Sequence, residues 1–186
     1  MQKPPIILPE VIIIEPKIFG DARGFFYESF QAKRYLEEYG IPVTFVQDNV
    51  SRSTKGILRG LHHQKQHTQG KLICVTRGAV FDVAVDIRQG SPNFGQWMGV
   101  VLDDKKHRQV YIPPGFAHGF CVLSEEADFI YKCTDYYDPS SEITIKWDDP
   151  DLAIDWPIEN PILSTKDQKG ILLKNILKTD LPYYEN

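Results

Sequence analysis

The chemistry this chain can do centres on its histidines, four of which fall in two places. His62, His63 and His67 lie within and just after the run LRGLHHQ, and His118 lies in PPGFAHGF. The fifth, His107, sits in a polar stretch and reads as a surface residue. A neutral imidazole is the best-matched proton acceptor near pH 7, and it is also a common metal ligand. Three readings of the cluster therefore compete: a metal site, acid–base catalysis, or histidines held structurally by hydrogen bonds. Spacing counts against the metal. His62 and His63 are adjacent, so on a regular strand they point to opposite faces. No Asp or Glu occurs between Gln64 and Thr76 to complete a ligand set. Spacing alone does not close the question.

Acid–base work on a carbon centre needs companions: an acid across the substrate, a cation for developing negative charge, and a carboxylate to orient the histidine. Tyr131 in DFIYKCT, Lys71 at the start of KLICVT, and Asp167 in LSTKD are candidates for these roles. Each has a plainer alternative. A lysine at a strand start is usually solvated, a tyrosine in an apolar strand is usually core, and an aspartate beside a lysine is often part of a helix cap. Arg23 and Glu28 flank the aromatic run GFFY, and Arg59 is set in an apolar strand. A guanidinium there fits either a phosphate, through its planar fork, or an internal salt bridge.

The elements that must position these groups are mostly short strands broken by turn residues. Runs of β type cover Val11–Ile14, Gly24–Phe30, Val43–Asn49, Ile57–His63 and Lys71–Thr76. FDVAVDI alternates, with Phe81, Val83, Val85 and Ile87 on one face and Asp82, Ala84 and Asp86 on the other. WMGVVL, QVYI, AHGFCVL, DFIYKCT and ITIKW follow. Many short strands at near-regular spacing predict an all-β sandwich or closed barrel. Helices are few. Gln31 to Tyr39, closed by Gly40, is one. Ser164 can cap a second through Lys166 and Asp167, with 171–178 extending or following it. Thr179–Asn186 reads as a tail that frays.

Composition narrows the class. The chain has 186 residues, enough for one domain spanning 1–186, and is 42% hydrophobic with a formal net charge of −4. That balance argues against a general nucleic-acid binder, yet a few convergent Arg and Lys suffice for an anionic small molecule. Cys74, Cys121 and Cys133 each lie in apolar stretches without metal-ligand spacing and read as reduced buried thiols. Lys3 is followed by prolines and an acidic residue rather than a long apolar run, and no segment reaches the ~20 apolar residues of a membrane helix. The expectation is a cytoplasmic protein that does not engage membranes.

In order along the chain, EPKIFGDARGFFYESF, FVQDNVS, GILRGLHHQ, QGKLICVTRG, FDVAVDIR, SPNFGQW, IPPGFAHGF, YKCTDYYDPSSE, WDDPDLAIDWP and LSTKD resemble the dTDP-4-dehydrorhamnose 3,5-epimerase family. The resemblance spans almost the whole chain. It implies a cupin-like jelly roll assembled as a homodimer, with N-terminal strands in the dimer contact, and an isomerase of the dTDP-L-rhamnose pathway without metal or redox cofactor. The implied substrate is dTDP-4-dehydro-6-deoxy-D-glucose, converted to dTDP-4-dehydro-L-rhamnose. By the same resemblance His62 is the proton acceptor, Tyr131 the donor, Asp167 the partner of His62, and Lys71 the cation beside the sugar. Arg23, Glu28, Gln47, Asp48, Asn49, Arg59, Lys71, His118, Glu142 and Lys166 match substrate-binding positions, and Tyr137 matches a position that stacks on thymine. Residues near Arg23 and Glu28 can be supplied across such a dimer. One departure is His63, where the family usually has Phe or Tyr.

Arg59 and His62 are three residues apart, so an ideal strand would send them to opposite faces. If both reach one ligand, the strand must bulge, and Gly60 is where it can.

Overall fold

The computed structural model describes residues 7–41 and 44–184. In chain order its elements are β1 (Ile12–Ile14), β2 (Phe19–Asp21), β3 (Gly24–Phe26), α1 (Ala32–Tyr39), β4 (Gln47–Thr54), β5 (Leu58–Gln64), β6 (Lys71–Arg77), β7 (Ala79–Asp86), β8 (Trp97–Asp103), β9 (Gln109–Ile112), β10 (Phe116–Val122), β11 (Glu126–Cys133), β12 (Glu142–Thr144) and α2 (Thr165–Gln168). Two short 3-10 turns follow, Leu173–Asn175 and Lys178–Asp180. The strands form two five-stranded antiparallel sheets, ordered β1-β9-β6-β11-β4 and β12-β5-β10-β7-β8, while β2 and β3 make a separate hairpin. Two such sheets packed face to face are a jelly roll of the cupin kind.

Strand alternation explains the layers. On β6 and β9, Ile73, Val75, Val110 and Ile112 turn inward to meet Val80, Ala84, Phe116, Phe120 and Val122 from the other sheet. Their neighbours Leu72 and Tyr111 turn outward and are covered by Tyr35 of α1, with Ile14 and Ile41. The helix is held at both ends. The Gln31 side chain accepts the Arg34 N–H, and Gly40 closes the helix at φ 67°. β7 shows why both faces of a strand can be buried. Ala84 faces the inner core, whereas Val83, Val85 and Ile87 face a second apolar layer built by Ile145, Leu152, Trp156, Leu173, Ile176 and Leu181. The segment from Ile145 to Leu181 is therefore the outer cover of the second sheet.

Most expected strands fall within a residue or two of their sequence positions, and three do not. The Gly24–Phe30 run is a strand only through Phe26, because Ser29 gives its carbonyl to Tyr35 and Gln109. The run placed at Val43–Asn49 is instead β4, whose pairing with β11 carries it on to Thr54. Val43 itself lies outside the described residues. ITIKW is a strand only through Thr144. The tail does not fray through Tyr184. Tyr183 bridges Gln89, the Tyr184 N–H donates to Gln89, and the Arg88 guanidinium lies 4.8 Å over the Tyr184 ring. Glu185 and Asn186 lie outside the described residues. His107 is likewise not a surface residue: it is 5% exposed, with its ring against Phe25 and Tyr27. The hairpin aromatics fold back over it, which its polar neighbours in sequence do not reveal.

Candidate active site

β5 is irregular at the glycine. Arg59 pairs with Phe120 and His62 with His118, so β5 uses three steps where β10 uses two. Gly60 has φ +119°, and a Cβ there would lie 2.7 Å from the Gly119 Cα and 2.8 Å from the His118 carbonyl. The extra residue restores phase, and Arg59 and His62 both line one cavity. That cavity, of about 360 Å³, opens between the inner faces of the two sheets. The first sheet contributes Gln47, Asn49 and Ser51 from β4, Lys71 from β6, and Phe129 and Tyr131 from β11. The second contributes Arg59 and His62 from β5, Phe116, His118 and Phe120 from β10, and Glu142 from β12. Tyr137 and Lys166 stand beside Glu142.

His62 is held by a carboxylate. Its Nε2 is 2.6 Å from Asp167 Oδ1, and Asp167 is 3% exposed. Asp167 is itself fixed, its Oδ2 accepting the Ser164 hydroxyl at 2.7 Å while its N–H donates to Ser164 Oγ at 3.1 Å. The short helix α2, capped by Ser164, is thus the device that delivers this carboxylate. Burial opposes ionisation of Asp167, but the bonds to His62 and Ser164 prevail and hold its carboxyl below the usual range. The carboxylate fixes the orientation of the imidazole and leaves Nδ1 as its other ring nitrogen.

Tyr131 enters from the opposite sheet. Burial raises its phenol above the ordinary value, so at neutral pH it carries its proton and can donate it. His118 forms a second imidazole–carboxylate pair, with Nε2 2.8 Å from Asp82 Oδ2. Burial pushes its imidazole down despite that carboxylate, which keeps it neutral at neutral pH. Its ring packs on Phe129, which stacks on Phe120 at 4.0 Å, so aromatic faces set its position.

The cavity carries positive charge that the protein does not cancel locally. Among the described residues, Arg59 and Lys71 have no carboxylate within ion-pair distance. Arg59 donates instead to the Ser53 hydroxyl at 3.0 Å, so the internal salt bridge is not its role. Burial pushes the Lys71 ammonium down, with Cys133, Glu142 and Asp82 opposing that shift. Two cations lining an open cavity, neither ion-paired to a protein carboxylate, suit an anionic ligand. Among the described residues, no three His, Cys, Asp or Glu side chains are grouped as a metal site.

Of the sequence candidates, the structure brings His62, Tyr131, Asp167, Lys71, Gln47, Asn49, Arg59, His118, Tyr137, Glu142 and Lys166 together. Three are not brought there. Asp48 alternates with Gln47 and Asn49, so it faces outward and pairs with Lys132 at 2.9 Å. Arg23 sits at the β2–β3 turn, paired with Asp21, and Glu28 pairs with Arg34 at 2.7 Å on the α1 side. Sequence reasoning missed Ser51, Phe116, Phe120, Phe129 and the supports Asp82, Ser53 and Ser164's bond to Asp167. Alternation along β4 and β7 was the signal for Ser51 and Asp82. His63 is not a second base. It is 3% exposed, hydrogen-bonds the Asp180 backbone under the C-terminal cover, and is pushed down to about 4 by burial and then by Lys71.

A jelly roll with a carboxylate-backed histidine on one wall and a protonated tyrosine on the other is a site equipped for acid–base chemistry on an anionic ligand. The family profile described as dTDP-4-dehydrorhamnose 3,5-epimerase matches residues 5–175. A crystal structure of dTDP-6-deoxy-D-glucose-3,5-epimerase from Legionella pneumophila, in complex with dTDP-4-keto-L-rhamnose, is 62% identical. It superposes with a TM-score of 0.95, over 98% of this chain and 97% of that one. The dTDP-4-dehydrorhamnose 3,5-epimerase of Pseudomonas aeruginosa is 56% identical over 166 residues, 89% of this chain and 92% of its own. A Streptomyces niveus protein named dTDP-4-dehydrorhamnose 3-epimerase is 42% identical over 93% of this chain and 84% of its own. The chain belongs to the dTDP-4-dehydrorhamnose 3,5-epimerase family and is an isomerase.

Proposed function

We propose that this chain inverts C3 and C5 of dTDP-4-dehydro-6-deoxy-D-glucose, giving dTDP-4-dehydro-L-rhamnose, with His62 as proton acceptor and Tyr131 as donor. The observation that carries the reading is their placement on opposing sheets of one cavity, because inversion needs base and acid on opposite faces of the same carbon. The C4 ketone acidifies the hydrogens on C3 and C5. His62 removes one, and the bonding pair moves into an enolate with its charge on the C4 oxygen. Lys71 stabilises that charge more than it stabilises the neutral ketone, which lowers the barrier rather than only tightening binding. Tyr131 then delivers its proton from the other side. Imidazolium and phenolate reset by exchange with solvent before the second carbon reacts.

Arg59 and Lys166 are suited to the diphosphate, and Tyr137, half exposed at the mouth, to stacking on the base. Gln47, Asn49, His118 and Glu142 complete the polar lining. Arg23 and Glu28 belong to the proposal in another way, as residues offered toward a second copy in a homodimer, and Asp48 stays in it as a substrate-binding position. The exposed Phe19, Phe25 and Phe26 of the hairpin carrying Arg23 support that assembly. Sedimentation at micromolar concentration tests it, and a monomer would exclude it. The three thiols Cys74, Cys121 and Cys133 are free, which suits the reducing cytoplasm we assign. We assign one domain to the whole chain, since the segment from Ile145 to Leu181 covers the second sheet.

The test is incubation with substrate in heavy water. Deuterium at both C3 and C5 is the expected result. Label at one carbon would make it a single epimerase, as the Streptomyces niveus relative is named, and absence of label would overturn the catalytic reading.

A further inference from the structure

His62 is flanked by two carboxylates, one at each ring nitrogen. Asp167 engages Nε2, while Glu142 Oε1 lies 3.8 Å from Nδ1. Glu142 is 11% exposed at its side chain and is pinned from the far side. Its Oε2 accepts the Lys166 ammonium at 2.7 Å and the Tyr137 hydroxyl at 2.9 Å. Glu142 is therefore not free to swing out to water, and its near oxygen stays beside the histidine. Lys166, half exposed on α2, is one residue from Asp167, so a single helical turn presents both the carboxylate of His62 and the cation of Glu142.

We propose that Glu142 is a positioning residue acting through His62: its carboxylate supports the imidazolium and so sets the strength of the base, and Lys166 meters that support by partly neutralising it. This rests on the assignment of His62 as the proton acceptor. The other groups facing His62 do not account for the same effect. Arg59 on its own strand, Lys71 on β6 and Lys166 on α2 are cations and disfavour an imidazolium. His118 on β10 is kept neutral by burial, and Tyr131 on β11 stays protonated. Among the described residues, Asp167 and Glu142 are the carboxylates beside His62, Asp167 bonding one ring nitrogen while Glu142 stands by the other. Burial opposes ionisation of Glu142, but the Lys166 bond, the nearby His62 and the Tyr137 bond hold its carboxyl below the usual range. It is therefore charged whenever His62 has work to do.

The experiment follows His62 in the full-length protein carrying isotope-labelled histidine, with its NMR signal identified by its loss in His62→Asn. Glu142→Gln is expected to lower the pH at which His62 takes up half a proton by about half a unit to one unit, water at the cavity mouth screening the rest. Lys166→Met is expected to raise it, and to lose most of that effect when combined with Glu142→Gln, because the lysine acts through the glutamate. The acidic limb of the kcat profile should move with each midpoint, and Glu142→Asp should restore part of it. A midpoint unchanged in Glu142→Gln, with only KM raised, would overturn the proposal and leave Glu142 a ligand contact. So would a Lys166→Met effect that persists undiminished without Glu142. Lys166 is half exposed, so its variant reads the coupling even if Glu142→Gln folds poorly. The titration needs no turnover: midpoints that move in a protein without proton exchange would keep this coupling while removing the catalytic reading.

Discussion

Replacing His63 by Phe should make the protein resist mild acid. The imidazole is 3% exposed beneath the C-terminal cover, its Nε2 has no hydrogen-bond partner, and its titration is pushed down to about 4. Burial is the first cause, and the positive Lys71 is the second. In the unfolded chain a histidine titrates near ~6.5. Between pH 6.5 and 4 the unfolded state therefore binds a proton that the folded state refuses, so stability falls as pH drops through that window and recovers as it rises. Against a folded value of about 4, the loss at pH 5 is about 2 kcal/mol, and it is negligible at pH 7. For a chain of this size about 1 kcal/mol moves Tm by roughly 2–4 °C. The drop in Tm between pH 7 and pH 5 should thus be roughly 4–8 °C larger in the wild type than in His63→Phe. Circular dichroism melts at pH 7, 6 and 5 on both proteins measure it. Any constant packing offset from the ring exchange cancels in this comparison. The depressed carboxyls of Asp86, Asp167 and Glu142 lose their own contributions at lower pH, and do so in both proteins. Equal drops in the two proteins would refute the reasoning, and would mean that the ring reaches water or a partner when it protonates.

Two further outcomes follow from the same strand. His62→Ala should leave the circular dichroism spectrum unchanged and reduce kcat by about 10²–10⁴-fold, the usual contribution of a general base; near-normal turnover would remove His62 from the reaction. Gly60→Ala places a methyl 2.7 Å from the Gly119 Cα at a φ of +119°, where backbone rather than a mobile side chain must give way. A loss of several kcal/mol in urea unfolding is expected, since strain and overpacking act together (about 1–3 kcal/mol each).

Strand positions were legible because their cause is local. Alternating apolar residues mark β7, short apolar runs mark β6 and β9, and a glycine stops α1 where the helix must end. The cavity lining was legible only where a residue type announced chemistry. Tyr131, Lys71 and Asp167 each had a plain structural reading, and the family resemblance, not spacing, singled them out. Asp48 shows the limit of carrying a run over whole: in QDN the period of two sends the middle residue to Lys132 on the outer face. Arg23 and Glu28 lie apart from this cavity because hairpin and helix contacts hold them elsewhere in the single chain. His107 could not be read at all, since the rings that bury it arrive from eighty residues away in sequence, around Phe25 and Tyr27. Asp82 was visible as a polar residue in an alternating strand, but its partner His118 comes from a neighbouring strand that no local pattern specifies.

The five residues from Arg59 to His63 concentrate what the fold has to solve. A cation and a base must share one wall, yet their spacing puts them out of phase. One glycine bulge against Gly119 corrects the phase, and it does so only because both facing residues lack a Cβ. His63, the residue after His62, turns its ring the other way across the pleat and is 3% exposed. That is why two adjacent histidines have opposite fates. His62 is bonded to the Asp167 carboxylate, whereas His63 is buried and its imidazole is pushed down to about 4. The bare pair of histidines is thus not a duplicated base. It is one base and one packing residue, separated by the pleat, and the acid-stability comparison and the His62 titration read the two sides independently.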